Sequence, residues 1–148
     1  MKSSGTSNWS TRIAYFRFPA CGATDFYTVA PCRLADTRGA AGPSGGPPLG
    51  AGAIRSFPVT GLCTIPSGAT AVSVNVTAVQ PGAAGYLTLY AGDAPAPPAV
   101  STVNFSPGQT RASNAVVAVA TDGSGTIRVR NVSGGLVDLV LDVSGYFK

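Results

Sequence analysis

The stretch Leu136-Val137-Asp138-Leu139-Val140-Leu141-Asp142-Val143-Ser144-Gly145-Tyr146-Phe147 decides the fold. Side chains alternate across a strand with period two, so Val137, Leu139, Leu141 and Val143 share one face. The other face carries Asp138, Val140, Asp142 and Ser144. One apolar face and one mixed face describe a strand packed on a core from a single side.

Working outward, residues 126–132 repeat the alternation, with Ile127 and Val129 on one face and Arg128 and Arg130 on the other. Ser133-Gly134-Gly135 reads as a three-residue hairpin loop, a place where Gly takes a left-handed conformation. That hairpin sets Val132 opposite Leu136, Val129 opposite Leu139 and Ile127 opposite Leu141. It also sets Arg130 opposite Asp138, an expected cross-strand ion pair of ~0.2–1 kcal/mol.

Further upstream, residues 71–79 present Val72, Val74, Val76 and Ala78 inward. Residues 86–90 present Leu87 and Leu89 inward and Tyr86, Thr88 and Tyr90 outward. Shorter strands are expected at 26–29 (running on to Arg38), 54–59 and 100–105. Residues 115–120 are apolar on both faces, as in a central strand. The Gly/Pro/Ala segment 39–52 has no strand or helix signal and reads as a mobile loop. About eight short strands separated by Gly/Pro turns predict an all-β fold, a β-sandwich of jelly-roll or Greek-key type.

Composition agrees, since β-branched residues favour strands while Gly and Pro interrupt helices. Charged residues are 11% of the chain, which leaves a surface of Ser, Thr, Asn and Gly, or one partly covered by other copies. The net charge is +4, but the basic residues are scattered from Lys2 to Lys148. Nucleic-acid binding needs a clustered basic face, so no such partner is expected. No apolar run approaches the ~18 residues of a membrane span. Lys2 is followed by polar residues, so no signal peptide is read in residues 1–25.

His and Glu are absent. A Ser-His-Asp triad and a Glu-based glycosidase pair are therefore impossible, and no enzyme activity or cofactor is expected. A zinc site is not expected without His or a Cys-x-x-Cys spacing. Asp122-Gly123-Ser124-Gly125 reads as a turn and lacks the further oxygen ligands of a calcium loop. Asp36 lies between Arg33 and Arg38, which reads as a structural ion pair, with a sugar- or anion-binding cluster as the alternative. Tyr86 and Tyr90 read as part of an oligomer interface, with plain outward decoration as the second reading and a glycan platform as the third. Asn8, Asn75, Asn104 and Asn131 match the N-glycosylation pattern, which is common by chance in such a chain.

Three cysteines allow three single pairs, or three free thiols. Cys32 and Cys63 bracket the Gly/Pro-rich loop and form the favoured pair, with Cys21 left over.

Residues 26–148 resemble a repeat domain of large secreted and surface proteins of bacteria, notably actinobacteria. The resemblance rests on Cys32-Arg33-Leu34-Ala35-Asp36-Thr37-Arg38 near the start and Asp142-Val143-Ser144-Gly145-Tyr146-Phe147 at the end. Ile65-Pro66-Ser67-Gly68-Ala69, Val74-Asn75-Val76-Thr77-Ala78 and Gly85-Tyr86-Leu87-Thr88 lie between them. It implies an extracellular or cell-surface accessory, structural or binding role and names no ligand. It also agrees with the Cys32–Cys63 pairing.

Residues 1–25 lie outside the resemblance and form an expected N-terminal arm. Ile13, Tyr15, Phe16 and Phe18 make that arm too apolar for a free tail, so it is expected to cover either the chain's own sandwich, as an added edge strand, or, as the favoured option, another copy, which makes these four candidate interface residues. The expected function is a non-enzymatic extracellular structural domain that self-assembles, as a ring or filament, through this arm and its outer sheet face. The alternative is a carbohydrate- or cell-wall-binding module, with glycan or cell wall as partner.

Overall fold

The computed structural model describes residues 24–148. They form eight strands and, among the described residues, no helix: β1 (Phe26–Asp36), β2 (Ile54–Pro58), β3 (Ala71–Val79), β4 (Gly85–Ala91), β5 (Val103–Phe105), β6 (Arg111–Ala118), β7 (Thr126–Ser133) and β8 (Asp138–Phe147). They make two four-stranded antiparallel sheets, ordered β1-β8-β3-β6 and β2-β7-β4-β5. The fold is an all-β sandwich.

The inward faces are those that alternation selects. Val72, Val74, Val76, Leu139 and Leu141 of the first sheet meet Phe57, Leu87, Ile127 and Val129 of the second, and none is more than 1% exposed. Each such side chain contributes about 1.5–3 kcal/mol by leaving water.

The hairpin expected between 126–132 and 136–147 does not form. β7 pairs with β2 and β4, whereas β8 pairs with β1 and β3 in the opposite sheet. Alternation specifies which face of a strand is buried but not which strand lies beside it. The Arg130–Asp138 ion pair is lost with the hairpin. Asp138 instead accepts a hydrogen bond from the Thr37 hydroxyl at 2.8 Å, and Arg130 lies between Ile54 and Thr88 in the other sheet. The turn after β7 crosses from sheet to sheet, and buried Asn131 fixes the crossing. Its amide donates to the carbonyls of Leu49 (3.2 Å), Gly50 (2.8 Å) and Gly135 (2.8 Å). Asn131 is a structural residue, not an open glycosylation acceptor.

The expected central strand at 115–120 is also corrected. β6 is an edge strand, and Val116 on its outer face is 64% exposed. The two-sided apolar pattern arises because Val119 and Ala120, past the strand's end, turn inward and are buried. Val119 N–H donates to the Thr70 carbonyl there.

The segment 39–52 is not a loose loop. The Arg55 guanidinium donates to the carbonyls of Pro47 (2.8 Å), Gly45 (2.6 Å) and Gly46 (3.2 Å), and also to that of Gly42. Its guanidinium carbon sits 4.9 Å from the Phe57 ring centroid, a cation–π distance. Gly45 is required here, because a Cβ would stand 2.0 Å from the Ala40 carbonyl oxygen.

Cys32 of β1 is disulfide-bonded to Cys63, past the end of β2, with Cα atoms 5.8 Å apart and a sequence separation of 31. A closed loop of this length stabilises by roughly 3–4 kcal/mol on the loop-entropy account. Cys21 lies outside the described residues.

Two outcomes follow. Leu139→Ala or Leu141→Ala should each cost about 2–5 kcal/mol in chemical denaturation, because a cavity replaces a buried side chain. Arg55→Met should speed amide exchange at Gly42, Gly45 and Gly46 while leaving Leu139 protected. Unchanged exchange at those glycines would mean that the loop holds itself.

Candidate functional site

The outer face of the β1-β8-β3-β6 sheet is the first surface to consider. Strand register lays Arg33, Asp142, Asn75 and Asn114 in one row across all four strands. Ser73 and Ser144 approach each other beside it at 3.2 Å. Arg33 grips Asp142 through Nε at 2.8 Å and Nη2 at 3.3 Å, and its Nη1 reaches Asp36 at 3.2 Å. Arg38 reaches Asp36 through Nε at 2.8 Å and Nη2 at 2.6 Å.

The expected Arg33–Asp36–Arg38 cluster therefore exists, extended by Asp142. It lies at the surface, since the Arg33 and Arg38 side chains are 50% and 48% exposed. Two guanidinium groups face two carboxylates, so the cluster is locally neutral. Every carboxylate oxygen is already accepting from a guanidinium. This geometry fastens the end of β1 to β8 and presents no spare positive charge to an anion. The Arg38 hydrogen bonds hold the Asp36 carboxyl down at about 2.

The two tyrosines separate. Tyr86 is half-buried, but Tyr90 is 7% exposed and Thr88 beneath the same segment is 1% exposed. The chain between β4 and β5 covers this face. Thr88 donates to the Val100 carbonyl at 2.6 Å, and Arg128 of β7 donates to the Ala94 carbonyl at 3.2 Å. An outward Tyr86–Thr88–Tyr90 platform is therefore not formed, and Tyr90 has no surface to offer a partner or a sugar ring. Alternation placed it on the face away from the core, and a second layer of chain then buried that face.

The sheet edges differ sharply; Pro58 already suggests from sequence that β2 is an edge or ends irregularly, whereas the β6 edge was not singled out. β1 carries Pro31 and two register breaks, between Thr28 and Cys32 and between Arg33 and Ala35. β2 is five residues long and stops at Pro58. β5 has only three residues. These are the ordinary protections of a free edge. β6 has none: it runs for eight residues as Arg111-Ala112-Ser113-Asn114-Ala115-Val116-Val117-Ala118, without proline or register break. Its one charge is at its first residue. Among the described residues only β3 pairs with it, so its far side presents free backbone donors and acceptors.

Beside that edge, a groove of about 440 Å³ opens between β5 and the start of β6. Its walls include Asn104, Arg111 and Ser113 and no aromatic ring. Thr102 and Thr110 line it too, but their hydroxyls already accept from Leu89 N–H and Gln80 N–H. Asp93 and Asp122 stand elsewhere, each held below the usual carboxylate range by hydrogen bonds from Thr121 and Ser124 respectively. Among the described residues no three His, Cys, Asp or Glu side chains converge to hold a metal ion. No described helix is long and apolar enough to cross a membrane.

Ile13, Tyr15, Phe16 and Phe18 lie outside the described residues. No family model matches the chain, and no curated protein matches it.

Asp36 supplies a pH test. Its carboxyl has a folded value near 2 against an ordinary 3.8, so the unfolded chain binds more protons between those values. Its stabilisation is full above about pH 4 and fades as pH falls toward 2. In thermal melts, Asp36→Asn should flatten that acid decline and lower the melting temperature at pH 6. An identical acid slope in both proteins would mean that other carboxylates control it.

Proposed function

We propose that this chain is a non-enzymatic, extracellular structural domain that assembles with copies of itself. The observation that carries this reading is the unprotected edge of β6. Soluble sandwiches normally blunt such an edge, because it templates the addition of another strand. The neutral outer face beside it agrees: Ala112, Asn114, Val116 and Ala118 have no charge among them, and among the described residues the ion pairs lie on the β1–β8 side. The strand order is read as a jelly roll, and the disulfide supports an oxidising compartment such as the cell exterior. The sequence-level resemblance to repeat domains of bacterial surface proteins points the same way.

The N-terminal arm is the proposed connector between copies. Ile13, Tyr15, Phe16 and Phe18 give the arm an apolar sequence, and the described chain leads from it directly into β1. An extended segment can add to a neighbour's sheet through main-chain hydrogen bonds. Such head-to-tail contacts give rings when they close and filaments when they do not. The carbohydrate-binding alternative loses the tyrosine platform that favoured it, since Tyr90 is buried.

Light scattering on the full chain and on a chain lacking residues 1–25 tests this. The full chain should have a mass of several copies, and the shortened chain should have a smaller one. Equal masses would remove the arm as connector.

A further inference from the structure

We propose that β6 pairs antiparallel with β6 of a second copy about a two-fold axis at Asn114, joining the two first sheets into one continuous eight-stranded sheet. This deepens the assembly reading by naming the partner, the strand and the register.

The occupant follows from charge. Residues 110–118 contain one charged side chain, Arg111, and no acidic one. A parallel β6 would set Arg111 directly against its own copy, and like charges directly opposite are destabilising. An antiparallel β6 sends the two Arg111 side chains to opposite ends of the seam. Residues 12–18 of the arm suit this edge less well, because they bring Arg12 and Arg17 to a strand that offers them no carboxylate.

The register follows from the pleat. Ser113, Ala115 and Val117 face inward, opposite Val76, Val74 and Val72. Asn114 and Val116 face outward, opposite Asn75 and Ser73. A sheet that keeps its faces must pair outward residues with outward residues, because a one-residue slip exchanges the faces. With the axis at Asn114, that residue meets itself and Val116 meets Ala112 of the second copy. The exposed valine is covered by a small side chain with room for it. The row Arg33, Asp142, Asn75, Asn114 then continues through Asn114 and Asn75 of the second copy, so amides meet amides at the seam. An axis at Ala115 would instead set Val116 against Asn114, burying an amide against a valine.

The test uses the full chain with Cys21→Ser, keeping the native disulfide. Asn114→Cys and Val116→Cys are introduced separately, oxidised briefly and run without reductant. In the proposed register the introduced thiol at 114 meets its own copy, whereas thiols at 116 stand four residues out of step. Cross-linked dimer should be about ten-fold more abundant for Asn114→Cys. Asn114→Lys, which sets two ammonium groups at the axis, should lower the mass seen by light scattering, and amide exchange over 111–118 should slow with protein concentration only in the unsubstituted chain. Equal cross-linking at 114 and 116, or none at either, would overturn the register. If the chain still assembles when Asn114→Lys leaves its mass unchanged, the seam is elsewhere and only the assembly reading survives. A monomer at every concentration would sink both. Cross-linking at 114 that appears only after residues 1–25 are deleted would mean that the arm covers β6, and would overturn the proposal.

Discussion

β8 lies between β1 and β3, and the rest of the sandwich depends on that placement. It exchanges backbone hydrogen bonds on both sides while its inward residues form the floor of the core. Leu141 stands level with Ala35 on one side and Val76 on the other, and Leu139 is level with Ala78. Small and large side chains therefore alternate across the first sheet, which leaves room for Phe57, Leu87 and Ile127 from the second. Thr37 adds a polar tie, accepting from Leu139 N–H at 2.8 Å while donating to Asp138.

Because strand addition is sequence-local only in its side-chain faces, the sequence discloses those faces and little about neighbours. Ile127, Val129, Leu139 and Leu141 are buried as alternation requires, yet their strands belong to opposite sheets. The Gly-rich turn between them suits a hairpin or a crossing equally well, and a single buried amide, Asn131, decides for the crossing. Tyr90 was misplaced for a related reason: its outward direction is right, but the chain between β4 and β5 folds over it.

The candidate site was legible only in part. Arg33, Asp36 and Arg38 are close in sequence, so their pairing could be read directly, whereas the contribution of Asp142 depends on the β1–β8 register. The importance of Arg55 was invisible, because the carbonyls it gathers become neighbours only after the glycine and proline turns fold. The bareness of the β6 edge was equally hidden. An apolar stretch looks central until the strand order shows that nothing among the described residues lies beyond it.

The disulfide acts like the binding of a book. Cys32 belongs to the edge strand of one sheet, and Cys63 follows the edge strand of the other, so one long side of the sandwich is sewn shut. The opposite margin, where β5 faces β6, has no disulfide among the described residues, only the five-residue turn 106–110 that joins the two strands at one end. Thermal breathing of the two leaves should therefore be lopsided, with motion fanning out from the sewn spine and widest at the fore-edge. Any molecule that holds the fore-edge closed would damp that motion from the side where the leverage is greatest.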